Sequence, residues 1–388
     1  MQQDTFSLED VIRFHLKDFI EEILEEELEN AIGSRYAREG KGYRNGHRTR
    51  GVTTTGGTVE VDVPRARLRT EDGGFVEFQN SVLPPGRRLT PRVEALITRA
   101  YLCGCSVRKV SFALAQALGG SVSRSMVSRC LRRLKPQWEA WMERDLSGEG
   151  ILRLVLDALS VDVRMDGTSH KLLILVALGI TNEGERMVLS MKDMGGESKE
   201  AWLEIMRDLV GRGVQQPQIC IVDGNPGIEA ALAQTWPNCL VQRCTVHKER
   251  NMLGYAPPAM HEELKADYQA MMYAGDAQAA LGLRKEFILK WHSKCPKVVS
   301  SLKEAGDRLF TFLRFPPQQW KSLRSTNSIE RLNEEFRRRI KVQGATHTGD
   351  SVCLLFWAML ACGVITHRKV HGFETLKRPI QEDLKLAS

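Results

Sequence analysis

Residues 151–165 read ILRLVLDALSVDVRM, a dense run of Leu, Ile and Val with one carboxylate, Asp157, near its middle and a second, Asp162, toward its end. Such a run belongs on a buried strand. Asp157 then needs a reason to be there, because desolvating an unpaired carboxylate costs several kcal/mol. The pattern recurs once. The short apolar run ICIV, 219–222, ends at Asp223. Around these two acids the chain alternates in period. Leu172 to Ile180 is strand-like, and Asn182-Glu183-Gly184 turns it into Arg186–Met191, which predicts a hairpin. Glu197–Val210 has helical spacing, a helix follows from about Pro226 to Gln234, and Leu240-Val241 forms a brief fifth strand. Three strands, then helix, strand, helix and strand, predict an α/β domain with a mixed five-stranded sheet.

A divalent cation gives two strand carboxylates their reason. Mg²⁺ takes hard oxygen ligands and needs only two or three carboxylates when substrate phosphates complete its shell. A third acid is available in STNSIERLNEEF as Glu330, on a predicted helix. The plainer reading of Glu330 is a capping box with Asn327. Asp162 rivals Asp157 but faces the other side of the strand; Glu334 rivals Glu330 from one helical turn further on. On the residues alone these alternatives stay open. Cys244 and His247 form CTVH just after the fifth strand. Two ligands fall short of the four that a structural zinc site takes, even with Cys239 nearby, so a side-chain pair fixing the strand end is the better reading. Trp291, Trp320 and Trp357 read as core. Other common sites are missing: there is no GxGxxG, GxxxxGK[ST], HExxH or GxSxG.

Charge points to the partner. The 388 residues carry a net +7, but residues 1–30 hold ten acids and two bases, so the remaining chain carries +15. A basic body of ordinary globular composition, 42% hydrophobic and 27% charged, suits a polyanion such as nucleic acid. Residues 6–32 read as an acidic helix, with Ser7 and Asp10 as a capping box and Gly33 as its end. The Gly- and Arg-rich stretch 34–51 reads as a mobile basic arm, and Val59–Val63 as a half-exposed strand. Across 90–135 the pattern is helical. One helix capped by Ser106 carries Val110, Ala113, Leu114, Ala117 and Leu118 on a single face, Gly119-Gly120 breaks it, and Ser123 caps a short basic helix. That is the helix-turn-helix pattern. No strand signal occurs over 255–323. The acidic N-terminus has neither the basic nor the apolar region of a secretory peptide, and the longest apolar run, Val352 to Ile365, is 14 residues, so no membrane partner is expected. Nine scattered cysteines without a CxxC fit a reducing cytoplasm.

Six motifs stand in a recognisable order: GYRNGHRTR at Gly42–Arg50, GCSVRKV at Gly104–Val110, LDALSVDVR at Leu156–Arg164, VDGNPG at Val222–Gly227, QRCTVHKERN at Gln242–Asn251, and STNSIERLNEEFRRRIKVQG at Ser325–Gly344. With them the chain resembles the Mutator-type transposases of bacterial insertion sequences, members of the DDE recombinase superfamily, from about residue 20 to 370. It departs from the family's pattern at Ala345-Thr346-His347, where Phe-Pro is common, and at Asn225.

The resemblance implies a ribonuclease-H-like catalytic domain with an all-helical insertion, preceded by an α-helical helix-turn-helix region. The expected divisions are 1–85, 86–147, 148–254, 255–323 for the insertion, and 324–388. Asp157, Asp223 and Glu330 correspond to the catalytic triad, holding two Mg²⁺ ions, or Mn²⁺ in their place. Asp157 bridges both metals in this expectation. Cys244 and His247 match a C-x-x-H signature. The implied partners are double-stranded DNA, as terminal inverted repeats and as target, and a second copy of the chain, because synapsis of two ends needs at least a dimer. Arg124, Ser125, Arg129, Arg132 and Arg133 are expected to meet the repeats, Arg44, Arg48 and Arg50 a minor groove, and Arg337, Arg338 and Arg339 phosphates near the scissile bond. A ribonuclease-H-like nuclease and a non-catalytic helix-turn-helix regulator are the competing readings.

Overall fold

The computed structural model describes residues 7–33, 41–118, 122–165, 168–343 and 348–381. The chain divides into two compact units, Met1–Leu134 and Lys135–Ser388.

The first unit opens with helix α1, Leu8–Ile32. Ser7 and Asp10 form the expected capping box, and the amide of Gly33 closes the last turn on Glu29. Strands β1 (Gly42–Thr54), β2 (Gly57–Arg69) and β3 (Phe75–Glu77) follow as an antiparallel sheet in that order. Leu24 and Leu28 of α1 are buried with Val52, Val59, Val61, Val63 and Ala66 of the hairpin. The expected arm is therefore a strand from Gly42 onward; residues 34–40 lie outside the described ones. Gly57, at φ +116°, helps turn the hairpin between Thr54 and Gly57. Three helices complete the unit: α2 (Pro91–Leu102), α3 (Val107–Ala117) and α4 (Arg124–Arg132). Ser106 and Ser123 cap the last two as expected, each accepting from an amide three residues on. Val110 and Leu118 are buried as predicted, while Ala113 and Ala117 are exposed. The turn at 119–121 falls outside the described residues.

The second unit begins with α5 (Lys135–Glu143), earlier than the division expected at 147/148, because α5 packs on the last long helix of this unit. Strands β4 (Ile151–Met165), β5 (Thr168–Thr181) and β6 (Arg186–Asp193) form an antiparallel meander. Helix α6 (Lys199–Gly211) leads to β7 (Ile219–Val222), and α7 (Pro226–Thr235) to β8 (Leu240–Arg243). Both strands add parallel to β4, giving a mixed sheet in the order β6-β5-β4-β7-β8. This order is compatible with the fold that the resemblance implies. Every described element from there to residue 361 is helical: α8 (Thr245–Leu253), α9 (His261–Met272), α10 (Ala277–Lys294), α11 (Pro296–Ala305), α12 (Pro317–Leu323), α13 (Asn327–Gln343) and α14 (Gly349–Ala361), with short 3₁₀ turns between some of them.

The two faces of the sheet are used differently. Leu154 and Leu156 of β4 join Trp202, Ile205, Met206 and Leu209 of α6 and Ile228 and Leu232 of α7 in one continuous core. Successive strand residues point to opposite faces, so Asp157 faces away from that core, toward the side that α13 crosses. Trp291, Trp320 and Trp357 are buried as expected. The apolar run from Val352 builds α14, which ends at Ala361. No described helix is long and apolar enough to cross a membrane.

Candidate active site

Three elements bring the sequence-predicted acids together. Asp157 comes from the middle of β4, Asp223 from the residue after β7, and Glu330 from the first turn of α13. Burial raises the Asp157 carboxyl to about 7. The positive His247 opposes this, while the charges of Asp223 and Glu330 push it further up. Asp223 and Glu330 thus both reach Asp157 electrostatically although the first and last acids lie 173 positions apart. Asn333, one turn beyond Glu330 and 1% exposed, donates through Nδ2 to Asp157 Oδ2 at 2.9 Å and ties α13 to β4.

The start of α13 differs from the predicted capping box. The amides of Ile329 and Glu330 both donate to the carbonyl of Thr326, so the helix begins one residue earlier than Asn327 as cap requires. The Glu330 carboxylate is thereby free of that box. Its Oε1 lies 3.5 Å from His247 Nε2 and 3.3 Å from the Thr326 hydroxyl, and its Oε2 lies 3.8 Å from Arg250. Of the rivals, Asp162 and Glu334 are both exposed.

Cys244 and His247 join this arrangement directly. Thr326, fully buried, sits with its amide 3.4 Å and its hydroxyl 3.3 Å from Cys244 Sγ. Burial pushes the Cys244 thiol up, but hydrogen bonds with His247 and Thr326 outweigh burial and bring it below its ordinary value. The bond to Cys244 raises His247 to about 9 against the effect of burial, with Glu330 and Asp157 adding to the rise. The Cys244 sulfur, the His247 imidazolium and the Glu330 side chain therefore stand in series. Ligand atoms of Cys244, His247 and Glu330 lie within 4.8 Å of one another, a spacing that could also hold a metal. Cys239 is elsewhere, its sulfur 3.4 Å from that of Cys220.

The residues flanking CTVH hold it in place. Buried Gln242 donates to the carbonyl of Leu309 and accepts from the amide of Phe312. Arg243 pairs with Glu229 and Glu304, and Lys248 with Glu304 at 2.8 Å. A motif so rich in buried, fully partnered polar groups is a scaffold for the site beside it.

Sequence reasoning missed one carboxylate. Glu197 was expected inside a helix, but α6 starts at Lys199 with Ser198 as its cap, which leaves Glu197 in the loop. Its Oε2 accepts from Asn225 Nδ2 at 2.9 Å, and the Asn225 amide donates to Asp223 Oδ1 at the same distance. Burial and the charge of Asp223 raise the Glu197 carboxyl. The missed signal was Ser198 followed by a good helical pattern, which marks a cap and places its predecessor outside.

A family model described as "Transposase, Mutator family" matches residues 1–361. The chain belongs to the Mutator family of transposases. It is 32% identical over 336 residues to the transposase for insertion sequence element ISRM5 of Rhizobium meliloti, covering 86% of this chain and 82% of that one. The transposase for IS1081 of Mycobacterium tuberculosis is 30% identical over 376 residues, 95% and 89% of the two chains. That for IS256 in transposon Tn4001 of Staphylococcus aureus is 31% identical over 301 residues, 77% and 75% of the two.

Membership of this family directs attention to the bases. Arg124, Ser125, Arg129 and Arg132 of α4 and Arg133 at its C-terminal cap are all exposed, with Val127 and Cys130 turned inward; Arg133 pairs with Glu94. On β1, Arg48 is exposed, but Arg44 pairs with Glu25 and Glu29 of α1, and Arg50 donates to the carbonyls of Leu83, Pro84 and Arg87. Beyond Glu330, Arg337 donates to the carbonyl of Ser160, and Arg338 and Arg339 pair with Glu335.

Proposed function

We propose that this chain is a DNA transposase that binds the terminal inverted repeats of its insertion sequence and catalyses Mg²⁺-dependent strand cleavage and strand transfer with Asp157, Asp223 and Glu330. The observation that carries the reading is the placement of Asp223 and Glu330 around Asp157, by the parallel pairing of β7 with β4 and by the Asn333 bond that ties α13 to β4, in a member of this family. The donor set fits a hard divalent cation. The three carboxylates come from separate elements, and Asp157, which burial pushes to about 7 with the charges of Asp223 and Glu330 adding to the rise, would be relieved by a cation. Asp157, Asp223 and Glu330 would hold Mg²⁺, which supplies charge stabilisation to the attacking and leaving oxygens of a phosphoryl transfer.

The chain's own residues do the rest. Asn333 orients the Asp157 carboxylate, and the Asn225 amide orients that of Asp223. Thr326 and His247 fix the rotamer of Glu330, with His247 held as an imidazolium by Cys244. Water or a DNA 3′-hydroxyl is the nucleophile, so no Ser or Tyr is required to form a covalent link. Recognition of the repeats falls to the exposed bases of α4, and synapsis to a dimer or higher assembly at the DNA ends.

The test uses the purified chain, a duplex carrying the element's own end, and Mg²⁺, with products mapped at single-nucleotide resolution. The expected product is a cut at the element's end bearing a 3′-hydroxyl that later joins to target DNA. Binding without any cut, in Mg²⁺ or Mn²⁺, would leave the non-catalytic regulator as the better account.

A further inference from the structure

A cleft of about 640 Å³ opens beside Glu330. Its walls are Arg186 at the start of β6, Lys321 in α12, Arg331 next to Glu330 on α13, and the segment that carries His367, Arg368 and His371. The acids on its walls are Glu330, Glu334 and Glu335, and Glu335 is already taken by Arg338 and Arg339. We propose that this cleft is a phosphodiester track, gripping the backbone of the DNA strand that enters the carboxylate site. The inference rests on the transposase reading and adds to it where the strand lies.

Three observations carry it. The first is an unmet need for an anion. Half-buried Arg186 pairs with no carboxylate among the described residues, and its Nε has no hydrogen-bond partner. His367 Nε2, on the same wall, has none either. Burial and the like charge of Arg331 both lower the Arg186 guanidinium, and burial and Arg186 lower His367. Two guanidinium groups brought together with one of them partly desolvated are unfavourable alone, and a bound phosphate offsets that cost.

The second is rigidity. The amide of Val370 donates to the carbonyl of Gly184, Ser322 Oγ donates to the carbonyl of His371, and His371 Nδ1 lies 3.0 Å from the carbonyl of Gln318. Gly372, at φ +78°, lies so close to Gln318 that a Cβ there would stand 2.3 Å from its carbonyl oxygen. The wall is preformed, so binding spends little on ordering it.

The third is length. A second hollow of about 780 Å³ shares Arg186, Ile365, Thr366, His367 and Arg368 with the first and continues to Lys369. Cations spaced along two joined hollows suit a polymer of phosphates better than one small anion.

The experiment is a salt titration of duplex binding, using the full chain and the element's own end in Ca²⁺. Wild type is compared with the double variant Arg186→Gln/Arg331→Gln and with a charge-matched control, Lys285→Gln/Lys303→Gln, on the exposed faces of α10 and α11. Loss of two phosphate contacts should flatten the slope of log K against log salt by about 2. The control should leave it unchanged. The melting temperature of the double variant should hold or rise, because a repulsion is removed. If that variant fails to fold, exposed Arg331→Gln alone should flatten the slope by about 1. An unchanged slope, or an equal change in the control, overturns the track. So does a site for free anions only, seen if millimolar inorganic phosphate raises the melting temperature of wild type but not of the variant while both bind duplex with one slope. Cleavage in Mg²⁺ is scored separately. A wild type that never cuts, yet whose slope responds as described, removes the transposase reading and keeps the track.

Discussion

Asp157 shows how a single buried charge connects stability to function. Its carboxyl is raised from 3.8 to about 7 in the fold. Between those values the metal-free folded state binds more protons than the unfolded chain, so this group's contribution to stability falls as pH rises through that window. Asp157→Asn removes the titration and keeps an oxygen for Asn333. At pH 8 the metal-free variant should be more stable than wild type by roughly 2–4 kcal/mol, with the gap closing toward pH 4. Melting curves across pH check this. Added Mg²⁺ should raise the melting temperature of wild type and not of the variant. Thr326 gives a second prediction at this scale. Thr326→Val keeps the shape and removes the hydroxyl shared by Cys244 and Glu330. Cleavage should drop about 10- to 100-fold, as loss of ligand-orienting groups usually causes, while far-UV circular dichroism stays the same. Asp157 and Asp223 were legible because an acid in an apolar strand has few structural excuses. Glu330 was not legible from its own surroundings, since a cap explained it equally well; only the ordered motifs decided. Glu197, Thr326 and Asn333 escaped because they matter through partners far along the chain, which spacing does not encode.

Among the elements, the strands of the second sheet were the easiest to read. Each is an apolar run ended by a turn, and their register follows from burial on both faces. Strand β1 was the hardest. Its first half has no apolar alternation, so nothing local separates it from an arm; pairing with β2 and the ion pairs of Arg44 with Glu25 and Glu29 hold it. That assignment makes a prediction. Arg44→Ala should lower the stability of the first unit by about 0.5–1 kcal/mol, whereas Arg48→Ala, on the exposed side, should leave it unchanged. Parallel melting experiments separate the two. If Arg48 touches DNA, its loss should flatten the salt dependence of duplex binding by about 1. Equal melting of both variants would return residues 42–50 to the role of an arm.

Across the whole molecule, the long separation of the three acids in sequence is what the second unit's sheet and helices resolve. Parallel addition of β7 beside β4 brings Asp223 to Asp157, and α13 returns after five helices to add Glu330. Groups that act as one unit are non-additive when removed, so losing one should equal losing all. The most direct measurement is cleavage of a duplex carrying the element's own end by Asp157→Asn, Asp223→Asn and Glu330→Gln, singly and combined, beside duplex binding by the same proteins. The account predicts no Mg²⁺-dependent cut by any of the four, with binding retained in each. A cut at the wild-type rate by any single variant contradicts it.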